Sequence, residues 1–344
     1  MISFENDYLE GAHPAILKRL ITTNFEQHPG YGSDNYCKSA TEKILKECDT
    51  DGAVYYLTGG TQTNQILLDA ITKSYEGIIA PSSGHIATHE AGAIEYTGHK
   101  ILEVPSYDGK LKAKDVKSYC DRFYDDKSHM HMVYPGVVFL TFPTELGTLY
   151  TKEELVEIRE VADEYGLRVY LDGARLAYGL MAEGNNVTLK DIASLVDLFY
   201  IGGTKVGCLY GEAAVFPNKE NVPPYFSNFI KKHGALNAKG RILGLQFDTL
   251  FTDNLYYEIG KYADRLAIVI NKAFVKNGYK MFVESQTNQQ FVILDNEEAE
   301  RLAQEFAFTF WEKLDENHTV YRFVTDWATK EENVLKLIKT LSNK

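Results

Sequence analysis

Two short stretches carry side chains that can act as a pair. RVYLDGAR (168–175) is an apolar, β-branched run that ends on an acid, Asp172, and DLFYIGGTK (197–205) is a second such run that ends on two glycines, Thr204 and Lys205. In an open α/β sheet, ligands bind outside the carboxyl ends of neighbouring strands. An acid at one strand end and a lysine just past the next therefore point into one crevice. Pyridoxal 5'-phosphate needs that pair: an amine to bond its aldehyde carbon, and a carboxylate to keep its pyridine nitrogen protonated. A surface lysine in a turn and an aspartate capping a helix would read the same way, so these two stretches alone leave both readings open.

Two further places bear on the choice. AVYYL (53–57) has the look of a buried strand and runs straight into TGGTQTN and the helical pattern of QILLDAITKSY. A strand, a glycine pair and a helix start leave free backbone N–H groups at the positive end of a helix dipole, which suits a phosphate. Gly59, Gly60 and Thr61 also read as a plain turn and cap, and the glycine spacing and lysine of a P-loop are absent. His85 opens a helix after the strand GIIA (77–80), with His89 and Glu90 following. Two histidines four apart share a helix face, but no third ligand stands at a usable spacing, so no metal is expected. A flat imidazole at the mouth of the crevice can stack on a cofactor ring; otherwise His85 is a capping or surface residue.

These residues need a sheet to hold them, and the pattern supplies one. GVVFLTF (136–142) reads as a strand, and Thr151 with Glu154 three residues on forms a capping box. The helix they open presents Leu155, Ile158, Ala162 and Tyr165 on one face and stops at Gly166, before the strand that ends at Asp172. Strand, helix and strand make a βαβ unit and hence a parallel sheet, and its repetition from residue 53 to 216 makes the class α/β. Around this core, residues 1–15 read as an arm, 28–36 as a loop, and 39–48 as a helix. Residues 107–132 read as an exposed helix and loop, and 242–277 as one long helix. The remainder alternates the strands FVIL and TVYRFVT with the helices EEAERLAQEF and KEENVLKLIKT, a smaller α+β module. The expected division is 1–245 and 246–344.

Composition narrows the partners. The 344 residues are 44% hydrophobic and 24% charged, ordinary for a globular protein, and the formal charge of −12 argues against a nucleic-acid backbone. No stretch approaches the roughly 20 apolar residues of a membrane span, and MISFENDYLEG carries early acids without an apolar segment, so no membrane and no signal peptide are expected. Cys37, Cys48, Cys120 and Cys208 lack CxxC spacing and fit reduced, buried thiols in a cytoplasm.

With these motifs in place, the chain resembles the low-specificity L-threonine aldolase/β-eliminating lyase family, pyridoxal phosphate enzymes of the aspartate-aminotransferase fold (fold type I), nearly from end to end. YGSD (31–34) resembles its YGDD loop, GTQTN (60–64) matches its phosphate-loop motif, and His85 followed by EAGA (90–93) has the spacing of its ring-stacking histidine. LDGAR (171–175) matches its pyridine-nitrogen aspartate and a carboxylate-binding arginine, TKVG (204–207) occupies its lysine position, and YRFVT (321–325) resembles the segment of a second carboxylate arginine. Three places depart. The turn after the lysine strand is the shorter GGTKVGCLYG. FPTEL (142–146) stands where the family has ENTHN, so a second histidine is missing. HGALNAKG (233–240) replaces GGGMRQ and loses an arginine for which Lys232 or Lys239 can substitute.

The resemblance implies a large domain with a mostly parallel sheet covered by helices on both faces, and a smaller C-terminal domain. It implies that Lys205 anchors pyridoxal 5'-phosphate, Asp172 holds the ring nitrogen, and Gly60, Thr61 and Thr204 hold the phosphate. His85 would stack on the ring and serve as the base, with Glu145 as its rival, while Arg175, Arg322 and Asn6 would grip the substrate carboxylate. The implied reaction is cleavage of a β-hydroxy amino acid to glycine and an aldehyde. β-Elimination, transamination and a non-catalytic cofactor-binding role are the alternatives. A homodimer or homotetramer is expected, with Tyr31 and the Lys232–Lys239 loop near a shared active site.

Overall fold

The computed structural model describes residues 1–106 and 108–342. The chain begins with a short strand β1 (Ile2–Ser3), then α1 (Pro14–Thr22) and α2 (Asn35–Glu47). β2 (Ala53–Leu57), α3 (Gly60–Ile71), β3 (Glu76–Pro81), the short helices α4 (His85–Thr88) and α5 (Ala93–Tyr96), and β4 (Ile101–Val104) follow. α6 (Ala113–Asp125), β5 (Tyr134–Thr141), α7 (Lys152–Tyr165), β6 (Arg168–Asp172), α8 (Leu176–Met181), α9 (Leu189–Leu195), β7 (Leu198–Gly202) and β8 (Glu212–Phe216) complete the larger sheet and its crossovers. Beyond it lie α10 (Phe226–Lys232), α11 (Arg241–Leu250) and α12 (Leu255–Lys276), then β9 (Lys280–Met281), β10 (Gln289–Asp295), α13 (Asn296–Ala303), β11 (Phe306–Ala307), β12 (Thr309–Lys313), β13 (His318–Val324) and α14 (Glu331–Leu341).

The larger sheet has seven strands in the order β2-β8-β7-β6-β5-β3-β4. Every pairing among β7, β6, β5, β3 and β4 is parallel, and β8 runs antiparallel to both its neighbours. This is the mostly parallel sheet that the βαβ pattern predicts. Alternate residues of β5 enter opposite cores: Val138 and Leu140 pack with Leu155, Ile158 and Ala162 of α7, and Val137 and Phe139 pack with Ile66 and Leu67 of α3. Both faces are covered, which is why the central strands read as unbroken apolar runs rather than alternating ones. A smaller antiparallel sheet, β12-β13-β10-β9, lies against α12 and α14 near the C-terminus.

Several boundaries differ from the sequence reading. The long helix expected over 242–277 is two helices, α11 and α12. Asp253 and Asn254 between them take φ of 53° and 58°, a left-handed turn that short polar side chains tolerate better than others. α2 starts four residues ahead of the expected Ser39, because the Asp34 carboxylate accepts the N–H groups of Tyr36 and Cys37 and caps the helix there. β4 is too short to announce itself. α6 is amphipathic rather than merely exposed, burying Val116, Cys120 and Phe123; Tyr107, the first residue of that stretch, lies outside the described residues. The arm is docked. β1 pairs in parallel with β11, and Phe4 is buried among Leu266, Phe306 and Phe323.

Candidate active site

The turns after β6 and β7 are brought together by glycines. The N–H of Gly202 donates to the carbonyl of Gly173 at 2.9 Å, and a Cβ on Gly202 would stand 2.2 Å from the carbonyl oxygen of Ala174. Only residues without side chains let the two strand ends approach this closely. Asp172 and Lys205 therefore open into one cavity of about 260 Å³, which Gly60, Thr61, His85 and Thr204 also line. Asn6, Arg175 and Arg322 are not among the residues lining it.

Lys205 lies in a 3₁₀ turn, and its carbonyl accepts the Tyr178 hydroxyl at 2.5 Å. Its Nζ is 5.9 Å from the centre of the Tyr8 ring and, among the described residues, makes no hydrogen bond. Burial, assisted by the positive charge of Arg175, holds its amine below the ordinary lysine value. Asp172 is buried, accepting the N–H of Ala174 at 2.9 Å and the Asn64 amide at 3.0 Å. Burial raises its carboxyl above the ordinary value despite those bonds and one from Tyr200.

His85 begins α4, and its Nδ1 lies 2.8 Å from Glu90 Oε1. Burial would lower its imidazole, but the Glu90 bond and the charges of Glu145 and Asp172 raise it above the ordinary value. A helix running on through residue 90 would have pointed Glu90 elsewhere. Instead α4 ends at Thr88, with His89 at φ −129° and ψ 18°, and the Glu90 carboxylate comes back to the imidazole. Glu145, in the turn after β5, is buried on the cavity wall. Burial works to raise its carboxyl, and His85, Arg175, Lys205 and Arg322 outweigh it and hold it low. Glu145 thus lines the cavity and is not a solvated turn residue.

The two arginines are placed differently. Arg175 forms a buried fork on Asp7, with Nε to Oδ2 at 2.7 Å and Nη2 to Oδ1 at 3.0 Å. Asn288 donates to Asp7 Oδ2 at 2.9 Å. Arg322 donates to the Gln289 side chain at 3.0 Å and to the Glu5 carbonyl at 3.3 Å, and its buried Nε has no partner among the described residues. Asn6 accepts the N–H of Tyr8 at 3.1 Å. Thr204 donates to Glu212 at 2.7 Å, and burial pushes the Glu212 carboxyl up to about 7.

The residues fit pyridoxal 5'-phosphate on three grounds. The amine and carboxylate at the strand ends are both desolvated and share one cavity. The Gly59 cap of α3 has no side-chain hydrogen bond, so the first N–H groups of a twelve-residue helix face the cavity wall without a competing cap. A Cβ on Gly60 would come within 3.2 Å of the Tyr200 hydroxyl, so a side chain there would crowd the cavity wall. The sequence pointed to Lys205, Asp172, His85, Gly60, Thr61 and Thr204. It gave no role to Asp7, Tyr8, Asn64, Glu90 or Tyr200.

Together the seven-stranded sheet, the smaller antiparallel sheet and the cavity between strand ends define a fold type I enzyme. Cystalysin from Treponema denticola, whose crystal structure contains a pyridoxal 5'-phosphate cofactor, superposes with a TM-score of 0.72 at 15% identity, covering 99% of this chain and 90% of that one. The beta-eliminating lyase family model matches residues 6–320, and the chain belongs to that family. It is 27% identical over 341 residues to the low specificity L-threonine aldolase of Pseudomonas aeruginosa, spanning 98% of this chain and 96% of that protein. It is 40% identical to the Leishmania major threonine aldolase structure, with a TM-score of 0.96 and 99% of both chains covered.

Proposed function

We propose that this protein is a pyridoxal 5'-phosphate-dependent carbon–carbon lyase that cleaves L-threonine, L-allo-threonine or a related β-hydroxy amino acid to glycine and an aldehyde. The carrying observation is the cavity itself, with a desolvated Lys205 and Asp172 beside His85 and Glu145. Family membership and the threonine aldolase relatives support the reaction class.

When bound, the cofactor supplies an electron sink for the bond broken at the substrate Cα. Asp172 would hold the proton on its ring nitrogen. Lys205, whose amine is kept neutral more readily by burial, would hold its aldehyde carbon. The N–H groups of Gly60 and Thr61 would hold its phosphate, joined by the Thr204 hydroxyl on turning its proton from Glu212. Arg322, whose Nε has no partner among the described residues, would take the substrate carboxylate with Asn6, since a guanidinium fork suits that shape, while Arg175, its fork held by Asp7, would assist through its charge alone. His85 has Nδ1 committed to Glu90 and so offers Nε2 to the β-hydroxyl proton. Removing that proton lets the carbonyl of the aldehyde form as the Cα–Cβ bond parts.

Incubating the cofactor-loaded protein with a panel of β-hydroxy amino acids should release an aldehyde and free glycine. Ammonia with a keto acid would move the assignment to β-elimination, and no aldehyde from any substrate would end the aldolase reading. Lys205→Ala should lose both turnover and the visible absorbance of the lysine-bound cofactor.

The same reading makes the enzyme a cytoplasmic homodimer or homotetramer. Four buried, unpaired cysteines support a reducing compartment. Tyr31 and residues 235–237 line one cavity, with Lys231 Nζ 5.3 Å from the Tyr31 ring, which supports placing that loop beside a neighbouring subunit. Lys232 itself is paired with Asp69 at 2.7 Å. No helix among the described residues is long and apolar enough to cross a membrane.

A further inference from the structure

Asn64 is the last residue of GTQTN, a motif whose first residues open α3 toward the cavity. Its own side chain goes elsewhere. The amide nitrogen lies 2.7 Å from Glu90 Oε1 and 3.0 Å from Asp172 Oδ2, and the amide oxygen accepts the Tyr170 hydroxyl at 2.6 Å. Asn64, Glu90, Tyr170 and Asp172 are all buried. Two carboxylates on one side of the amide and a hydroxyl on the other fix which end is NH₂: the carboxylates accept, and the tyrosine donates.

We infer that Asn64 is a positioning residue that divides one amide group between the two working carboxylates, holding Asp172 toward the cofactor's ring nitrogen and Glu90 toward His85. Leucine has the volume but no donor, and aspartate lacks the second donor hydrogen. Without the shared NH₂, two buried acids face each other with no hydrogen between them, and the pair takes up a proton as neighbouring carboxyls do. The His85 counter-charge then weakens. The inference rests on the reading of Asp172 and His85 given above, yet its test needs neither cofactor nor turnover.

The groups acting on His85 are Glu90, Glu145, Asp172 and Lys205, with the His89 ring 5.8 Å away. Tyr170 and Tyr200 close the carboxylate side, and Glu212 lies within electrostatic reach. Glu145 and Lys205 do not touch Asn64, so a change there reaches His85 through the two carboxylates it bonds, Glu90 and Asp172.

The measurement is the titration of the His85 ring by NMR in cofactor-free protein, wild type against Asn64→Leu. The midpoint should fall by about 1 unit when the opposing charge is neutralised. An unchanged or raised midpoint in a folded variant overturns the inference. Should Asn64→Leu fail to fold, the wild type still decides. The Asn64 side-chain ¹⁵N–¹H signals should shift with the same midpoint as His85, because both bond Glu90 Oε1, and signals that stay flat across that titration overturn it. If the midpoints behave as expected while the wild type releases no aldehyde, the aldolase reading fails and the role of Asn64 stands.

Discussion

His85 and Glu145 reach the same cavity with opposite leanings. The imidazole is raised by its carboxylate neighbours and has only Nδ1 committed, to Glu90, whereas the Glu145 carboxyl is held low by four cations and is a weak proton acceptor. On the proposed reading, His85→Phe would keep a flat ring over the cofactor and remove the base. Aldehyde release should fall by roughly 10²–10⁴, the usual share of general acid–base catalysis, with cofactor binding intact, and Glu145→Gln should cost less. The reverse order of losses would make Glu145 the base. Arg322→Ala should raise KM for the amino acid by about 2–5 kcal/mol of lost binding, as when a buried charge loses its partner, and leave cofactor affinity alone. An unchanged KM would assign Arg322 to packing. Lys205, Asp172 and His85 were legible because each lies at the end of a strand or the start of a helix that short-range pattern reveals. Glu90 was not, because its position depends on α4 stopping after four residues, at Thr88, which no local pattern announces. Asp7 meets Arg175 across 168 residues of chain, and no local pattern reports such a pairing.

Elements were legible where their end signals are local. Thr151 accepts the Glu154 N–H at 3.2 Å while Glu154 returns to the Thr151 N–H at 2.9 Å, and α7 begins and ends where the sequence puts it. Thr151→Ala should lower stability by about 1 kcal/mol, read as a reduced midpoint in urea unfolding, and Thr151→Ser should restore it. Equal midpoints for all three proteins would mean the cap is redundant with the packing of Leu155 and Ile158. The break between α11 and α12 was missed for a physical reason: apolar periodicity continues through it, and only the Asp253-Asn254 pair marks the turn. β1 and β4 are only two and four residues long and gain their pairing from partners already in place, so propensity alone says little about them.

At the level of the whole molecule, the arm ties the two ends of the chain together, and that tie carries a pH signature. Beyond Phe4 and Asp7, Glu10 lies beside Asp326, just past β13. Burial and the Glu10 charge push the Asp326 carboxyl up to about 7 from its ordinary 3.8. Between about pH 4 and 7 the folded protein therefore keeps a proton that the unfolded chain has released, so stability falls as pH rises through that window and levels off above it. Glu212, also pushed up to about 7, acts in the same direction. Asp7 acts oppositely and lower: Arg175 and its other partners overcome burial and depress its carboxyl, so its contribution is present above the ordinary value and lost as the pH falls through the folded one. The contribution of Asp326 and Glu212 to the stability of cofactor-free protein should accordingly decline as the pH rises from about 4 to 7. Asp326→Asn removes one titrating group while preserving shape, and thermal unfolding followed from pH 4 to 8 should show a flatter decline than wild type. A decline as steep in Asp326→Asn as in wild type would mean that the proton is held elsewhere, with Glu212 the next residue to change.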